Sequence, residues 1–483
     1  MIIERMIEAG MREFKENLER FCEKEAEGAL TPESAQAITR GIQQAIAAAG
    51  RGAFRAYLES KEVARDVVVC EGEPYRFKYC SGKPFMGLWG SMKVTRRVYQ
   101  NASDTKTHVP LDAAWGMAGQ YMTVEVREAV AFSCAHVTPE ETHALLKKSA
   151  LFHPHPTQIK RCVEELGALV ADDPRALDAR IRAEEAAPEG VCALAASLDG
   201  ANVLLYEPDE SGGKRGRPAE RPGAGEGQAA TTAYRNAMVG SVTYYGAVPE
   251  GQKTPRRLLS RYVSHMPEGR AVTFKAKFEA ELAAVERNLP PGVVKVLLCD
   301  GARAIWNYAK APRYDGYKKL VDYCHTLEHL SLAAEALFGK GSEAATAWYD
   351  KYRKKLLEED LGPRGVLLSM DYYAKANGLS KSRREALAPQ RTFFRRNRAR
   401  MTYADFRRRG LPIGSGPVEA ACKTLVKTRL CRSGMRWTRK GGQRILDLRT
   451  YVKSNRWDAF WQEYKKLRNR SGRLSQGFSG YTQ

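Results

Sequence analysis

Val191–Gly200 reads Val-Cys-Ala-Leu-Ala-Ala-Ser-Leu-Asp-Gly, and Val293–Gly301 reads Val-Val-Lys-Val-Leu-Leu-Cys-Asp-Gly. Each is a short apolar run closed by Asp-Gly, the pattern of a buried strand running into a turn. A strand end is rigid and opens on a cleft, so Asp199 and Asp300 stand where a sheet can present a carboxylate. Asp-Gly is also an ordinary turn sequence, so the pair means little without a third group. Gly414-Ser-Gly-Pro-Val-Glu419 supplies one. Pro417 suits the first turn of a helix and no breaker follows before Gly434, which places Glu419 just inside a helix. Carboxylates from three separate elements can hold two hard cations roughly 3.5–4 Å apart, the arrangement that activates an attacking oxygen and stabilises a leaving one in phosphoryl transfer.

The segments between these residues read as an α/β core. Met238–Tyr245 and Arg257–His265 have strand character, giving a three-stranded meander with the Asp199 strand. Phe274, Phe278, Leu282 and Val285 then recur at helical spacing and stop at Pro290-Pro291, before the Asp300 strand. Strand, strand, strand, helix, strand is the beginning of an RNase H-like topology. The stretch from Asp300 to Glu419 is too long for a loop and mostly helical in pattern, so it reads as an insertion between core elements.

Several blocks carry a family resemblance: Ser197-Leu-Asp-Gly200, Met238-Val-Gly-Ser-Val-Thr-Tyr244, Leu298-Cys-Asp-Gly-Ala-Arg-Ala-Ile-Trp-Asn-Tyr308, Pro412–Glu419, Arg432-Ser-Gly-Met-Arg-Trp437 and Arg456-Trp-Asp-Ala-Phe-Trp461. Together they resemble bacterial insertion-sequence transposases of the ISKra type, relatives of the Mutator-like group, over roughly the last three hundred residues. The resemblance implies an RNase H-like catalytic domain in which Asp199, Asp300 and Glu419 are catalytic and hold two Mg²⁺ or Mn²⁺ ions. It also implies double-stranded DNA as partner, both terminal inverted repeats and target, and at least a homodimer on that DNA. Asp322-Tyr-Cys-His325 resembles the Asp/Cys-x-x-His motif that Mutator-like transposases carry between their second and third acidic residues. His325-Thr-Leu-Glu-His329 also matches the inverted zinc-peptidase pattern, a short match that arises easily by chance. The rival reading from another class is a domesticated, catalytically silent DNA-binding protein that keeps the fold.

Charge points to a polyanionic partner: 78 Lys and Arg against 56 Asp and Glu, a net +22. The cations cluster around the third acidic residue. Arg395 and Arg396 lie in a basic run before it, and Lys423, Lys427, Arg432 and Arg436 follow it, so these are candidate phosphate contacts. Phe393, Phe394 and Trp437, interleaved with them, are candidates for stacking on bases, or simply core anchors. Lys214-Arg215-Gly-Arg217-Pro218 resembles the core of an AT-hook, with a flexible inter-strand loop as the alternative.

Upstream, residues 1–65 read as a helical arm, and 66–115 as a small β module where related transposases carry a zinc ribbon. Cys70 and Cys80 lack Cys-x-x-Cys partners, so the module is taken as degenerate. Residues 116–175 suggest a helix-turn-helix-like trihelical unit with Lys160 and Arg161 near the start of its third helix, or a plain packing module. The remaining divisions are 190–310 for the first part of the core, 311–410 for the helical insertion, 411–465 for the catalytic-helix region and 466–483 for a basic tail. No apolar run is long enough to span a membrane, the first residues lack a signal-peptide core, and ten scattered cysteines suit a reducing compartment, so a cytoplasmic, nucleoid-associated place is expected.

Overall fold

The computed structural model describes residues 1–101, 103, 105–207 and 231–474, so Arg215 and Arg217 and the last nine residues of the tail lie outside the described residues. Two compact units are formed, one by Met1–Leu177 with the segment from Trp457 onward, the other by Asp178–Arg456.

In the first unit, helices Ile2–Ala26 and Pro32–Glu59 pack together through small residues. A Cβ on Gly10 would stand 3.2 Å from the Ala49 carbonyl oxygen, and one on Gly52 would stand 2.8 Å from that of Ala9. That closeness is why Ala45–Ala53 is so poor in large side chains. The β module is an antiparallel meander of β1 (Val67–Cys70), β2 (Glu73–Gly87), β3 (Gly90–Asn101) and β4 (Thr107–His108). Helices Val124–His136, Pro139–Ser149 and Pro156–Asp172 follow, the second opened by a Thr138–Glu141 capping box and the third by His155 with Gln158. The buried Arg127 donates to Tyr464 Oη at 2.9 Å and to Glu165 Oε2 at 3.0 Å, tying the Trp457–Leu474 helix to this bundle.

The second unit is built on a mixed sheet of five strands in the order β7-β6-β5-β8-β9. These are β5 (Ala193–Glu207), β6 (Thr231–Tyr245), β7 (Arg257–His265), β8 (Val294–Cys299) and β9 (Lys318–Val321). The first three in sequence pair antiparallel, β8 runs parallel to β5, and β9 parallel to β8. Both faces are covered, which is why Ala193–Ala196 and Val296–Cys299 are apolar without alternation. Leu194, Ala196, Leu198, Leu297 and Cys299 pack with Phe274, Phe278 and Leu282 of the Val272–Arg287 helix. Ala193, Ala195, Val296, Leu298 and Leu320 pack with Leu330, Leu337, Trp348, Leu356, Met370 and Phe394. The latter come from the helices Tyr323–Phe338, Glu343–Glu358, Gly362–Ala376 and Lys381–Asn397.

Two elements differ from the reading of the sequence. Asp199-Gly200 does not end its strand: β5 runs on to Glu207, with Asp199 opposite Val239 and Gly200 opposite Met238. The Asn236 side chain fills the space a Cβ on Gly200 would need, so the glycine serves a close approach inside the ladder and not a turn. The fifth core strand, β9, lies inside the stretch read as mostly helical; four residues are too few to show a period.

Candidate active site

The parallel registers place three aspartates side by side. β5 pairs with β8 through Ala193↔Val294 to Ala196↔Leu297, and the same offset sets Asp199 level with Asp300. β8 pairs with β9 through Val296↔Lys318 to Cys299↔Val321, and one step further sets Asp300 level with Asp322. Neighbouring strands lie about 4.8 Å apart, and residues at one level of a parallel sheet share a face. All three fall in the alternation on the face covered by the helices after β9, at the carboxyl ends of β8 and β9 where open α/β sheets place ligands.

Each carboxylate is held differently. Asp199 Oδ1 accepts from Gly200 N at 2.6 Å, and the Cys422 thiol hydrogen-bonds this side chain. Asp300 Oδ1 accepts from Ala302 N at 2.9 Å, and the Asp300 carbonyl takes the Trp306 indole N–H at 2.7 Å. Burial pushes the Asp300 pKa up; Ala302 N–H and His325 oppose this, Asp199 and Asp322 add to it, and the net shift is upward. Asp322 is fully buried and caps the Tyr323–Phe338 helix, accepting from His325 N at 2.8 Å. Its Oδ2 takes the Ser415 N–H. Burial raises the Asp322 pKa, but the bonds from His325 and Ser415 outweigh it and hold the carboxyl below its usual range.

Glu419 enters on the short Gly416–Ala421 helix, where Ser415 Oγ donates to its Oε1 at 3.0 Å. Ser415 therefore ties Asp322 to Glu419 with its two polar groups. His325 Nδ1 lies 3.4 Å from Asp322 Oδ1 and 4.0 Å from Glu419 Oε1. The Asp322 bond is the main reason its pKa rises to about 9, against the opposing effect of burial. One ligand atom from each of Asp322, His325 and Glu419 lies within 4.8 Å of the others. The donor set, carboxylates in excess with one imidazole beside them, fits a divalent cation. This tight group shares only Glu419 with the three residues singled out from sequence; Asp199 and Asp300 stand alongside it on the neighbouring strands. Asp322 and His325 drew notice only through a motif resemblance.

The second histidine of the zinc-peptidase pattern turns elsewhere. His329 bonds Gln390 through Nδ1 and stacks on Phe393 with ring centroids 3.6 Å apart. Phe393 in turn lies on Gly301, where a Cβ would collide with the ring, so the glycine after Asp300 is there for packing. Phe394 is fully buried, and Trp437 is bridged to the distal half of β5 through Tyr206 N and Leu204 O. Phe393 and Phe394 are thus core anchors, while the half-buried Trp437 gives its indole N–H to the Leu430 carbonyl at 2.9 Å and has Arg429 over its ring.

The helix carrying Glu419 continues as a π-helical turn, Cys422–Lys427, which no sequence signal announced. Arg449 takes up carbonyls of that turn, donating from Nε to Leu425 O at 2.7 Å and from Nη2 to Thr424 O. Burial and the neighbouring Arg429 lower the Arg449 pKa to about 10. Lys423 and Lys427 stay exposed on the turn, as do Arg432 and Arg436 after it and Arg395 and Arg396 on the Lys381–Asn397 helix. In the other unit, Lys160 and Arg161 are exposed and paired with Glu140 at 2.7 Å and Glu165 at 2.9 Å.

No family model matches the chain, and no curated protein does. Among solved structures, a Drosophila P element transposase strand transfer complex matches at 13% identity over 70% of this chain and 80% of that one, with a TM-score of 0.24, a likeness too slight to carry an argument. Among the described residues no helix is long and apolar enough to cross a membrane.

Proposed function

We propose that the Asp178–Arg456 unit is the catalytic part of an insertion-sequence DNA transposase of the ISKra type, with Asp199, Asp300 and Glu419 as its metal-holding carboxylates. The observation that carries this reading is that Asp300 and Asp322 directly follow the adjacent parallel strands β8 and β9, that Asp199 of β5 and Asp322 both act electrostatically on Asp300, and that Glu419 is bonded to Ser415 beside Asp322. The β7-β6-β5-β8-β9 order, three antiparallel strands followed by two parallel ones, supports an RNase H-like core. The net charge of +22, with exposed lysines on the turn after Glu419, supports double-stranded DNA as the substrate.

Two Mg²⁺ or Mn²⁺ ions held by these carboxylates would activate the attacking oxygen and stabilise the leaving oxygen of a phosphodiester. The side chains do the rest. Asp199, held in the ladder with β6 opposite Val239, is a rigid wall of the site. Asp300, which burial and two neighbouring aspartates make reluctant to ionise, is a carboxylate that an added cation stabilises. Asp322 fixes Ser415, and Ser415 fixes Glu419, so Asp322 orients the third carboxylate. Without a cation, His325 carries positive charge between Asp322 and Glu419 and keeps their repulsion low; it would give up that proton to act as a ligand itself. The proposed reaction is hydrolysis at an element end, which frees a 3′-hydroxyl, followed by in-line attack of that hydroxyl on target DNA by an assembly of at least two copies.

The test is incubation of the purified chain with labelled DNA carrying the gene's own flanking ends, with Mg²⁺, with Mn²⁺ and with EDTA. Metal-dependent nicks at the element boundary that disappear in Asp300→Asn and in Asp199→Asn, with end binding intact, are expected. Cleavage retained in either variant would sink the assignment. Tight end binding without any cleavage would favour the silent DNA-binding reading.

A further inference from the structure

A cavity of about 870 Å³ shares the Ile413–Pro417 turn with the carboxylate cluster. Its apolar lining comes from Tyr245, Leu327, Leu357 and Leu411, and Tyr323 stands beside them with its hydroxyl given to the Arg353 carbonyl at 3.2 Å. Six charged side chains reach it, four of them basic. Arg353 pairs with Asp350 at 3.4 Å and Lys354 reaches Glu358 at 4.0 Å, which accounts for both acids. Lys253 and Arg407 pair with no carboxylate among the described residues, so the rim has an unspent positive charge.

An apolar, partly aromatic lining together with two cations that pair with no carboxylate among the described residues suits a planar ring that carries a phosphate. The ring stacks and packs below, and the phosphate meets Arg407 and Lys253. The volume lies in the range of small-molecule and cofactor sites, roughly 300–1,000 Å³. Gly414 and Gly416 present bare backbone on the wall, and Ser415 between them is the residue that ties Asp322 to Glu419. An occupant of the cavity therefore touches the turn on which Glu419 depends.

We propose that this cavity binds one nucleotide by its ring and its phosphate. The nucleotide comes either from a DNA strand, unstacked beside the cleavage point, or from solution as a free mononucleotide. The strand source rests on the DNA-processing reading above; the cavity chemistry does not.

The full chain, in EDTA so that nothing is cut, is titrated with a single-stranded thymidine oligonucleotide containing one 2-aminopurine, and separately with dAMP and dGMP competing against it. A saturable 2-aminopurine signal is expected. It weakens about tenfold or more in Leu357→Trp, which fills the floor, and in Arg407→Glu with Lys253→Glu, the loss of one stacked base and its phosphate contact. Arg407→Ala serves as the milder variant, and unchanged melting temperatures establish that the variants fold. Binding of the oligonucleotide with no competition by dAMP or dGMP identifies the strand as the source, and competition identifies a free nucleotide. Affinities in folded variants equal to the parent chain, or no binding of either probe, overturn the proposal. Cleavage of end DNA is measured in parallel with Mg²⁺. A chain that binds the probe through this cavity but never cuts refutes the transposase reading alone, and one that cuts while the variants bind normally refutes the cavity alone.

Discussion

Glu281→Gln should cost the Asp178–Arg456 unit about 3–5 kcal/mol, because it strips the charge from a carboxylate on which buried cations depend. Glu281 is fully buried. It accepts from Arg456 Nη2 at 2.6 Å and Nη1 at 2.9 Å and pairs with Arg182 Nε at 2.8 Å. Glu185 holds the outer side of the network, taking Arg456 at 2.5 Å and Arg261 at 2.7 Å. Three arginines thus face Glu281, Glu185 and Asp178, which takes Arg182 Nη2 at 3.2 Å, and the substitution leaves two acids for three largely buried guanidinium groups. At ~2–4 °C per kcal/mol for a unit of this size, the melting temperature should fall on the order of 10 °C. The pH dependence carries a definite sign. Burial pushes the Glu281 pKa up, but Arg456, Arg182 and Arg261 outweigh it and hold the carboxyl below its usual value of 4.5. A depressed folded-state pKa gives stability that is present above the unfolded value and lost as pH falls through the folded one. The gap between parent and variant should therefore be full at pH 7 and close only in acid well below pH 4.5. Thermal melts by circular dichroism of the full chain, from pH 7 down to pH 3, read this directly. A variant that melts within about 1 kcal/mol of the parent at pH 7, or a gap indifferent to acid, would refute the reasoning.

The metal-free chain should lose stability as pH rises toward 9, because His325, raised from 6.5 to about 9, contributes fully below 6.5 and loses its contribution through 9; His325→Asn should flatten that slope in melts run with EDTA. Gly301→Ala drives a Cβ into Phe393 and should cost ~1–3 kcal/mol, with Phe393→Ala in the same chain recovering part of it in a double-mutant cycle. Lys423→Ala and Lys427→Ala should each weaken DNA binding uniformly across sequences and lower the slope of log K against log salt by ~0.9 per lost phosphate contact, measured by fluorescence anisotropy; an unchanged slope would remove these residues from the DNA-facing surface.

The elements that sequence reasoning handled well are those whose signal is local. Arg257–His265 is a strand as read, and Phe274, Phe278, Leu282 and Val285 do share one helix, Val272–Arg287, that ends before Pro290-Pro291. The Thr138–Glu141 pair satisfies free N–H groups at the start of its helix, and Pro156, which has no N–H to leave unpaired, stands at the start of the next, both local signals of the same kind. Where the signal is not local, reading failed. Asp-Gly at 199–200 looks like a turn because its composition matches one, yet fifteen residues of pairing with β6 carry the strand through it. β9 has too few residues to announce itself, and the π-helical turn after Glu419 depends on Arg449, which arrives from the Arg439–Lys453 helix.

By itself the chain determined which residue types were on hand: two aspartates after apolar runs, a glutamate at a helix start, an Asp-x-x-His pair between them, and an excess of cations around the glutamate. Only tertiary structure decided which of them meet. Parallel strands have no hairpin to set their register, so the level at which β5, β8 and β9 lie is chosen by the packing of the helices that cover them. That choice brings Asp199, Asp300 and Asp322 to one line and makes Asp322 the residue that holds Ser415 and, through it, Glu419. Residues so distant along the chain acquire a common chemistry because burial of the apolar faces on which they border leaves their carboxylates one shared edge.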